Sequence, residues 1–340
     1  MKKNILISIL ILFTLTSLII IEDVDFYVPE NWPKPVYNFK NNKLTVQKIQ
    51  LGRVLFYDPI LSKNNTISCA SCHSPFGAFA HVDHALSHGI YDSIGTRNVP
   101  GLMNMAWQTH FKWDGEVTNL DEFSVIPITH SREMGENINH VIKKLNESPL
   151  YKKLFYQAYG DSIVSKEKLL KSLSQFVLMM VSYNSKYDSV MRKQASFTKQ
   201  EKNGYQLFKA NCAVCHQEPL FTNYSFQNNG LPIDTSLNDY GRFTVTQNPS
   251  DSFLFKVPTL RNIEYTFPYM HDGRFKKLSE VIRHYTSGIT NSSTLAEPLR
   301  KRIELSSNDK IDLISFLLTL SDRKFVFNPD LQFPKEILGK

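Results

Sequence analysis

The sequence contains few cysteines and no cluster of basic residues, and both absences limit the class of protein. Four cysteines occur in 340 residues, and none lies in the apolar run near the N-terminus, which therefore has no thiol to carry a lipid. The formal net charge is +7, but the lysines and arginines are scattered, so a nucleic-acid partner is not expected. With 42% hydrophobic residues, the chain can form the cores of about two domains.

All four cysteines lie in two copies of one short motif. The first is CASCH, from Cys69 to His73, and the second is CAVCH, from Cys212 to His216. C-x-x-C-H is the attachment signature of haem c, in which the thiols add to the porphyrin vinyl groups and the histidine binds the iron. One C-x-x-C could belong to a zinc or thiol redox site, but two copies without a spare cysteine argue against a zinc ribbon or a disulfide framework. We therefore predict two covalently bound haem c groups, with His73 and His216 as proximal ligands.

The first 21 residues have the pattern of an export signal. Lys2 and Lys3 precede an apolar run from Ile5 to Ile21, in the order of a charged n-region and an h-region. Export to the periplasm fits the motifs, because bacteria attach haem c outside the cytoplasm. There is no clear cleavage site, and the run is near the lower length limit of a spanning helix, so a retained membrane anchor remains an alternative. Residues 22–43 are polar and contain three prolines, which predicts an extended leader.

The haem motifs belong to a longer internal repeat, which indicates two copies of one helical unit. We predict an all-α protein with two cytochrome c-like domains, 44–190 and 195–330. Within it, residues 44–57 and 310–320 have helical periodicity, and 141–199 is interpreted as a helical linker. The matching segments are Gly52–Phe56 with Gly204–Phe208, Val99–Asn104 with Val257–Asn262, Asp114–Gly115 with Asp272–Gly273, and Leu120 and Glu122 with Leu278 and Glu280.

The repeat also predicts different coordination for the two irons. Tyr285 stands 13 residues after Asp272, whereas Pro127 stands 13 residues after Asp114. A tyrosine phenolate can bind iron and a proline side chain cannot, so the second haem could be six-coordinate and the first open. The alternative is that Tyr285 is only a packed aromatic residue.

Two further residues fit the chemistry of an open haem. Glu133 lies six residues after Pro127 and could move a proton between the oxygens of a bound peroxide. Trp113 lies between the two haem motifs and could shorten an electron path. A surface glutamate and a core tryptophan are the corresponding alternatives.

Four more motifs occur in order around the haem motifs: LFYDP (55–59), FKWDG (111–115), VPTLRN (257–262) and PYMHDG (268–273). Over about residues 44–322, this set resembles the bacterial di-haem cytochrome c peroxidase and MauG family. The resemblance implies two all-helical cytochrome c domains about a pseudo-twofold axis, with a calcium ion between them. It also implies periplasmic reduction of hydrogen peroxide with electrons from a small c-type cytochrome or a cupredoxin, and it suggests a homodimer.

The resemblance assigns roles to individual residues. His73 would be proximal to the peroxidatic haem and His216 to the electron-transfer haem. Trp113 falls at the tryptophan between the haems, and Glu133 at the distal acid–base glutamate. Oxygen ligands suit a hard cation such as calcium. The expected calcium ligands are the Asn98 side chain and the backbone carbonyls of Thr266 and Pro268.

Three departures from the family pattern matter. Tyr285 stands where the peroxidases have an axial methionine and MauG has an axial tyrosine, and a phenolate lowers the haem potential. Phe123 replaces the distal glutamine and cannot hydrogen-bond a peroxide. The loop that often holds a removable distal histidine has a different spacing, with Ile90 nearest by count. Of the histidines in that loop, His88 is the favoured cap for the first haem over His81 and His84, and ordinary loop histidines are the alternative.

Three functions therefore remain open. The leading prediction is a di-haem cytochrome c peroxidase. The first alternative is a MauG-like oxidase that acts on a protein or another substrate through a high-valent iron state, and Tyr285 motivates it. The second is a di-haem electron carrier without catalysis, in which both irons are six-coordinate.

Overall fold

The computed structural model describes residues 21–339 as α-helices joined by long irregular segments. The predicted export signal or anchor, residues 1–21, lies almost entirely outside the described residues. No helix within residues 21–339 is both long enough and apolar enough to cross a membrane. The helices are α1 (Val46–Tyr57), α2 (Cys69–Cys72), α3 (Leu120–Phe123), α4 (Val125–Thr129), α5 (Ile138–Glu147), α6 (Pro149–Tyr159), α7 (Lys166–Leu178), α8 (Lys186–Met191), α9 (Lys199–Asn211), α10 (Phe243–Thr246), α11 (Leu278–Arg283), α12 (Ser307–Leu318), α13 (Arg323–Val326) and α14 (Lys335–Leu338).

Shorter elements complete the secondary structure. A π-helical turn, His284–Gly288, continues directly from α11. Strands β1 (Phe226–Gln227) and β2 (Phe255–Lys256) pair antiparallel, with Phe226 opposite Lys256. The 3-10 segments are Pro59–Leu61, Pro75–Gly77, Ile90–Asp92, Met105–Trp107, Pro249–Asp251, Glu297–Leu299 and Pro329–Leu331.

The first half of the chain, which contains the first haem motif, is built on the crossing of α1 and α7. The Thr45 side chain caps α1, and Asp58-Pro59 ends it, as the sequence predicts. The helices approach so closely at Gly52 that an added Cβ would lie 1.9 Å from the Ser172 carbonyl oxygen. The buried Phe56 ring lies 5.3 Å from that of Phe176. Only glycine permits this crossing, which explains its place in the repeat.

The second half is built on the matching crossing of α9 and α12. A Cβ at Gly204 would lie 1.9 Å from the Asp312 carbonyl oxygen. The Phe208 ring lies 5.1 Å from the Phe316 ring. The repeat found in the sequence is thus a repeat of one helix crossing.

Two helices differ from the sequence-based expectation. Helix α7 lies in the segment interpreted as a linker, yet Leu173 and Phe176 are fully buried against α1, so it is a core helix of the first half. Helix α12 begins at Ser307 rather than at 310, because Ser306 and Asp309 form a capping box.

The leader contacts both halves. The backbone N–H groups of Val36 and Tyr37 donate to the Ala106 carbonyl. The Trp32 ring packs edge-on against Trp107 at 5.0 Å, and the Arg261 guanidinium of the second half lies 4.6 Å from the Trp32 ring centroid.

The halves exchange reciprocal backbone hydrogen bonds where they meet. The Asn98 N–H donates to the His271 carbonyl at 2.7 Å, and the Lys256 N–H donates to the Trp113 carbonyl at 2.7 Å. In the repeat, Asn98 corresponds to Lys256 and Trp113 to His271. Each half therefore makes the same bond to the other.

Candidate functional site

The second haem motif follows α9 and presents a neutral histidine. His216 Nδ1 lies 3.2 Å from the Phe221 carbonyl and 3.1 Å from the Pro258 carbonyl, so this nitrogen is the donor. Burial lowers the pKa of His216 to about 4. The Nε2 lone pair of a neutral imidazole held in this way is available to a metal.

A cavity of about 270 Å³ opens beside this histidine. Its wall includes Cys212, Cys215 and His216 of the motif, together with Tyr285. The rest of the wall near the motif is largely apolar, as a porphyrin requires. The structure thus brings Tyr285 to the cavity that holds the second motif.

Tyr285 lies in the π-helical turn that follows α11. The turn is tied to the loop before it, because His284 Nε2 lies 3.0 Å from the Asn229 carbonyl oxygen. Burial raises the pKa of Tyr285 to about 12, although a hydrogen bond with the Asn229 side chain opposes the increase. The free phenol therefore keeps its proton at neutral pH, and a phenolate here requires a metal ion.

The first haem motif forms the short helix α2 and its C-cap. His73 Nδ1 lies 2.8 Å from the Phe79 carbonyl, and burial lowers the pKa of His73 to about 4. Phe79 and Phe221 both have a positive φ, so the same turn delivers the carbonyl acceptor in each half. The histidines of both motifs are therefore held by the same contact, which leaves Nε2 of each free.

All four cysteines are free thiols in the structure. Burial raises the pKa of Cys69 and of Cys212 to about 12. Unpaired thiols followed by a neutral histidine with one free ring nitrogen fit haem c at both motifs. The residues that would hold the two haems are Cys69, Cys72, His73, Cys212, Cys215 and His216.

Glu133 lies beside the first motif. Burial and the charge of Glu133 together raise the pKa of Cys72 to about 11. The Glu133 side chain is 33% exposed, and its Oε1 lies 3.6 Å from His130 Nδ1. Burial raises the pKa of Glu133 above its usual range, while His130 and Lys112 oppose that rise. The group can therefore exchange a proton at a higher pH than an exposed glutamate.

Pro127 and Phe123, which precede Glu133 in the chain, have structural contacts of their own. Pro127 lies in α4, and its carbonyl accepts the Met134 N–H at 3.1 Å. The Phe123 ring stacks on the buried Phe111 ring at 5.5 Å, so it serves the apolar core. Neither side chain can bind iron or hydrogen-bond a peroxide.

The three loop histidines pack against one another. His84 and His88 are stacked 4.0 Å apart, and His81 Nε2 lies 3.1 Å from His84 Nδ1. The His88 carbonyl accepts a hydrogen bond from Cys72 Sγ at 3.3 Å. Within residues 21–339, His81 Nδ1 is the buried side-chain polar atom left without a partner. Both interpretations of this loop, ordinary packed histidines and a cap for the first haem by His88 or a neighbour, stay open.

Trp113 and the predicted calcium ligands line the same cavity wall. Trp113 Nε1 donates to the Asn98 carbonyl at 2.8 Å, and Asn98 Nδ2 donates to the Ala85 carbonyl at 2.9 Å. Thr266 and Pro268 line the cavity with them. The described residues contain no cluster of three or more His, Cys, Asp or Glu side chains suited to a metal ion. That absence does not bear on a site made of carbonyl oxygens.

The sequence analysis missed Lys256. Its Nζ donates to Gln108 Oε1 at 2.7 Å and to the His110 carbonyl at 2.8 Å. It lines the cavity close to Trp113, and burial lowers its pKa to about 7. The signal that could have found it is the repeat, which matches Lys256 with the predicted ligand Asn98.

Comparisons with known proteins agree with these features. Residues 46–196 match the family model described as di-haem cytochrome c peroxidase. Residues 201–321 match the model for cytochrome c. Together the two models span both haem motifs.

Named relatives match over most of the chain. The methylamine utilization protein MauG of Methylophilus methylotrophus is 34% identical over 87% of this chain and 87% of its own length. The cytochrome c551 peroxidase of Nitrosomonas europaea is 31% identical over 84% of this chain and 82% of its own. A crystal structure of a MauG-like protein associated with microbial copper homeostasis is 28% identical, with a TM-score of 0.83 over 92% of this chain and 99% of that one. The chain therefore belongs to the di-haem cytochrome c peroxidase and MauG family.

Proposed function

We propose that the protein is a di-haem peroxidase that reduces hydrogen peroxide to water. One peroxide takes up two electrons and two protons and yields two water molecules. The observation that carries the proposal is Glu133, a partly buried carboxyl beside the first haem motif with a raised pKa. When bound, the haem iron over His73 supplies the peroxide-binding site and the electrons that cleave the O–O bond.

Glu133 performs the proton transfer. Its ionised carboxylate would accept a proton from one oxygen of the peroxide. The protonated carboxyl would then donate it to the other oxygen, which leaves as water. The burial that raises the Glu133 pKa brings both steps closer to neutral pH.

The second half supplies electrons to the first across the contact between the two halves. Trp113 is fixed by its bond to the Asn98 carbonyl and lies in the wall of the cavity beside His216. An aromatic side chain at this position shortens the path between the two haems. The expected donor is a small c-type cytochrome or a cupredoxin.

The first experiment compares Glu133→Gln with the wild-type protein. The amide cannot accept the proton, so the rate of peroxide reduction with a reduced c-type cytochrome should fall by roughly 10²–10⁴-fold. Glu147→Gln is the matched control, because Glu147 is 66% exposed and pairs only with Lys143 at 3.9 Å. A Glu133→Gln protein with the wild-type rate and both haems bound would refute the proposal.

Tyr285 supports a second candidate, a MauG-like oxidase. Tyr285 lines the cavity of the second motif together with His216, and a His/Tyr pair gives a low potential that is poorly suited to an electron store. The two candidates differ in the electron source, which is a small donor protein for the peroxidase and the oxidised substrate itself for the oxidase. Fast peroxide-dependent oxidation of a reduced cytochrome would exclude the oxidase. If neither haem binds cyanide, the non-catalytic carrier is the correct function.

The surroundings of the two haems extend the proposal. The reciprocal bonds of Asn98 and Lys256 support a pseudo-twofold relation between the halves. A calcium ion would bind the Asn98 side chain and the Thr266 and Pro268 carbonyls. Chelation should remove one calcium per chain and slow turnover.

We place the protein in the periplasm, where haem c is attached, and propose a homodimer by analogy with the family. Cell fractionation and light scattering test these two points.

A further inference from the structure

The repeat relates the environment of Lys256 to the predicted calcium site residue by residue. A constant offset of 158 connects Val99 to Val257 and Asp114 to Asp272. The same offset matches Asn98 with Lys256. The other two predicted calcium positions, Thr266 and Pro268, match Gln108 and His110.

Lys256 already contacts both of these matching residues. Its Nζ donates to Gln108 Oε1 at 2.7 Å and to the His110 carbonyl at 2.8 Å. The acceptors around the ammonium are therefore an amide oxygen and a backbone carbonyl, the kind of neutral oxygen donor that also suits a hard cation. The ammonium therefore lies at the counterpart, in the repeat, of the predicted calcium site.

Among residues 21–339, no carboxylate accepts a hydrogen bond from this ammonium. The acidic group whose charge affects it is Asp114. However, Asp114 Oδ2 is bound by Arg97, and its Oδ1 accepts the Glu116 N–H at 3.1 Å. Arg97 is in turn held by Asp239 at 2.6 and 2.7 Å. Asp114 and Asp239 thus both pair with Arg97 rather than with Lys256.

One donor of Lys256 remains available to the cavity. An ammonium has three N–H donors, and two are used by Gln108 and His110. Lys256 also lines the wall of the cavity that contains His216 and Tyr285. A haem in this cavity brings two carboxylates of its own, and a buried cation without a counter-ion is costly.

We propose that the Lys256 ammonium is a built-in cation, at the counterpart of the predicted calcium site, that pairs with a propionate of the haem in the cavity beside His216. One side of the contact between the halves would thus carry a removable metal ion, and the other a lysine side chain whose positive charge that propionate stabilises. This inference rests on the proposed two-haem function. It assigns to Lys256 a positioning and electrostatic role, not proton transfer.

The test is the midpoint potential of each haem in Lys256→Met, Lys256→Gln and Lys256→Arg holoproteins. Loss of a positive charge beside a haem favours the ferric state, so Met and Gln should shift the second haem to a more negative potential. Arg retains the charge and should stay close to wild type. Lys276→Met is the matched control, because Lys276 is exposed and its backbone N–H bonds Glu280. Its potentials should not change.

A second readout does not depend on potentials. Resonance Raman propionate bending bands report hydrogen bonds to the haem carboxylates. The bending bands of one haem should change in Lys256→Gln, and the bands of both haems should keep their wild-type positions in Lys256→Arg. Unchanged potentials and bands in both neutral variants, with both haems bound, would overturn the inference alone. Absence of haem at Cys212 and Cys215 in the wild-type protein would instead overturn the proposed function.

Discussion

Pro127 lies in helix α4 of the first half, whereas at the corresponding point of the second half Tyr285 lies in a π-helical turn. The proximal sides differ far less. In both halves a glycine permits the helix crossing, and a phenylalanine carbonyl holds Nδ1 of the haem histidine. The two halves therefore share the helix crossing and the histidine contact, and they differ at the position of Pro127 and Tyr285.

The largest expected effect concerns Arg261, which corresponds to Met103 in the first half. Arg261 is fully buried, and its two terminal nitrogens donate to Asp188 at 2.9 and 2.8 Å. Arg261→Met leaves Asp188 as an unpaired buried charge, which should lower the free energy of unfolding by about 3–5 kcal/mol.

Denaturant unfolding monitored by circular dichroism measures this loss. Arg261→Met with Asp188→Asn removes both charges and should recover part of the stability. Arg300→Met is the control: Arg300 is exposed, pairs with Glu297 and donates to the Ser293 carbonyl, and its loss should change the free energy of unfolding by less than about 1 kcal/mol. A stable Arg261→Met protein would show that the halves tolerate the same residue at this position.

The next largest loss of stability is expected at the helix crossing that the two halves share. Gly52→Ala and Gly204→Ala each place a methyl group against a carbonyl oxygen, and each should cost about 1–3 kcal/mol of unfolding free energy. Lys202→Ala, on the exposed face of α9, controls for helix propensity and should be neutral. A large loss for only one glycine would mean that one half alone depends on the close crossing.

A smaller effect concerns pH. Burial raises the pKa of Glu133, and the reaction needs its carboxylate, so activity should be complete above that pKa and fall as pH decreases through it. The acid limb of kcat/KM should therefore lie above about 4.3, the pKa of an exposed glutamate. In Glu133→Gln this limb should disappear from the residual rate. A limb at the ordinary glutamate value would contradict the role of burial.

The smallest effect on stability is expected for Tyr285→Phe, which removes one hydroxyl. The ferric optical and EPR spectra should change for the second haem alone and stay unchanged for the first. The second haem should also shift to a more positive potential, since a phenolate favours ferric iron. Tyr205→Phe is the control, because the Tyr205 hydroxyl bonds Glu218 at 2.9 Å in the helix core. Spectra that do not respond to Tyr285→Phe would exclude it as an axial ligand.

Much of this site could be predicted because its determinants are local in sequence. A C-x-x-C-H motif and the Gly-x-x-Leu-Phe pattern of the repeat each lie within five residues, and the two glycines lie at the helix crossings. The role of α7 as a core helix could not be predicted from its own sequence. Its apolar spacing indicates a helix but not the partner, and only the contact of Phe176 with Phe56 identifies it as a core helix.

Lys256 was missed for a related reason. A single lysine has no periodicity and no motif, and its meaning depends on Gln108 and His110, which lie almost 150 residues away. The repeat offset matches Lys256 with Asn98. Lysine and asparagine differ in charge, however, so the match by itself does not indicate a shared role. Such a pair becomes interpretable only when the acceptors around each side chain are known.

The cysteines of the two motifs have a consequence for the assembly of the holoprotein. Cys69 and Cys212 have pKa values of about 12 in the folded chain, so their reactive thiolate forms are scarce at neutral pH. A thiol in this state adds slowly to a vinyl group. We therefore expect haem to be attached while the chain is still open, before each helix crossing closes and the two halves meet.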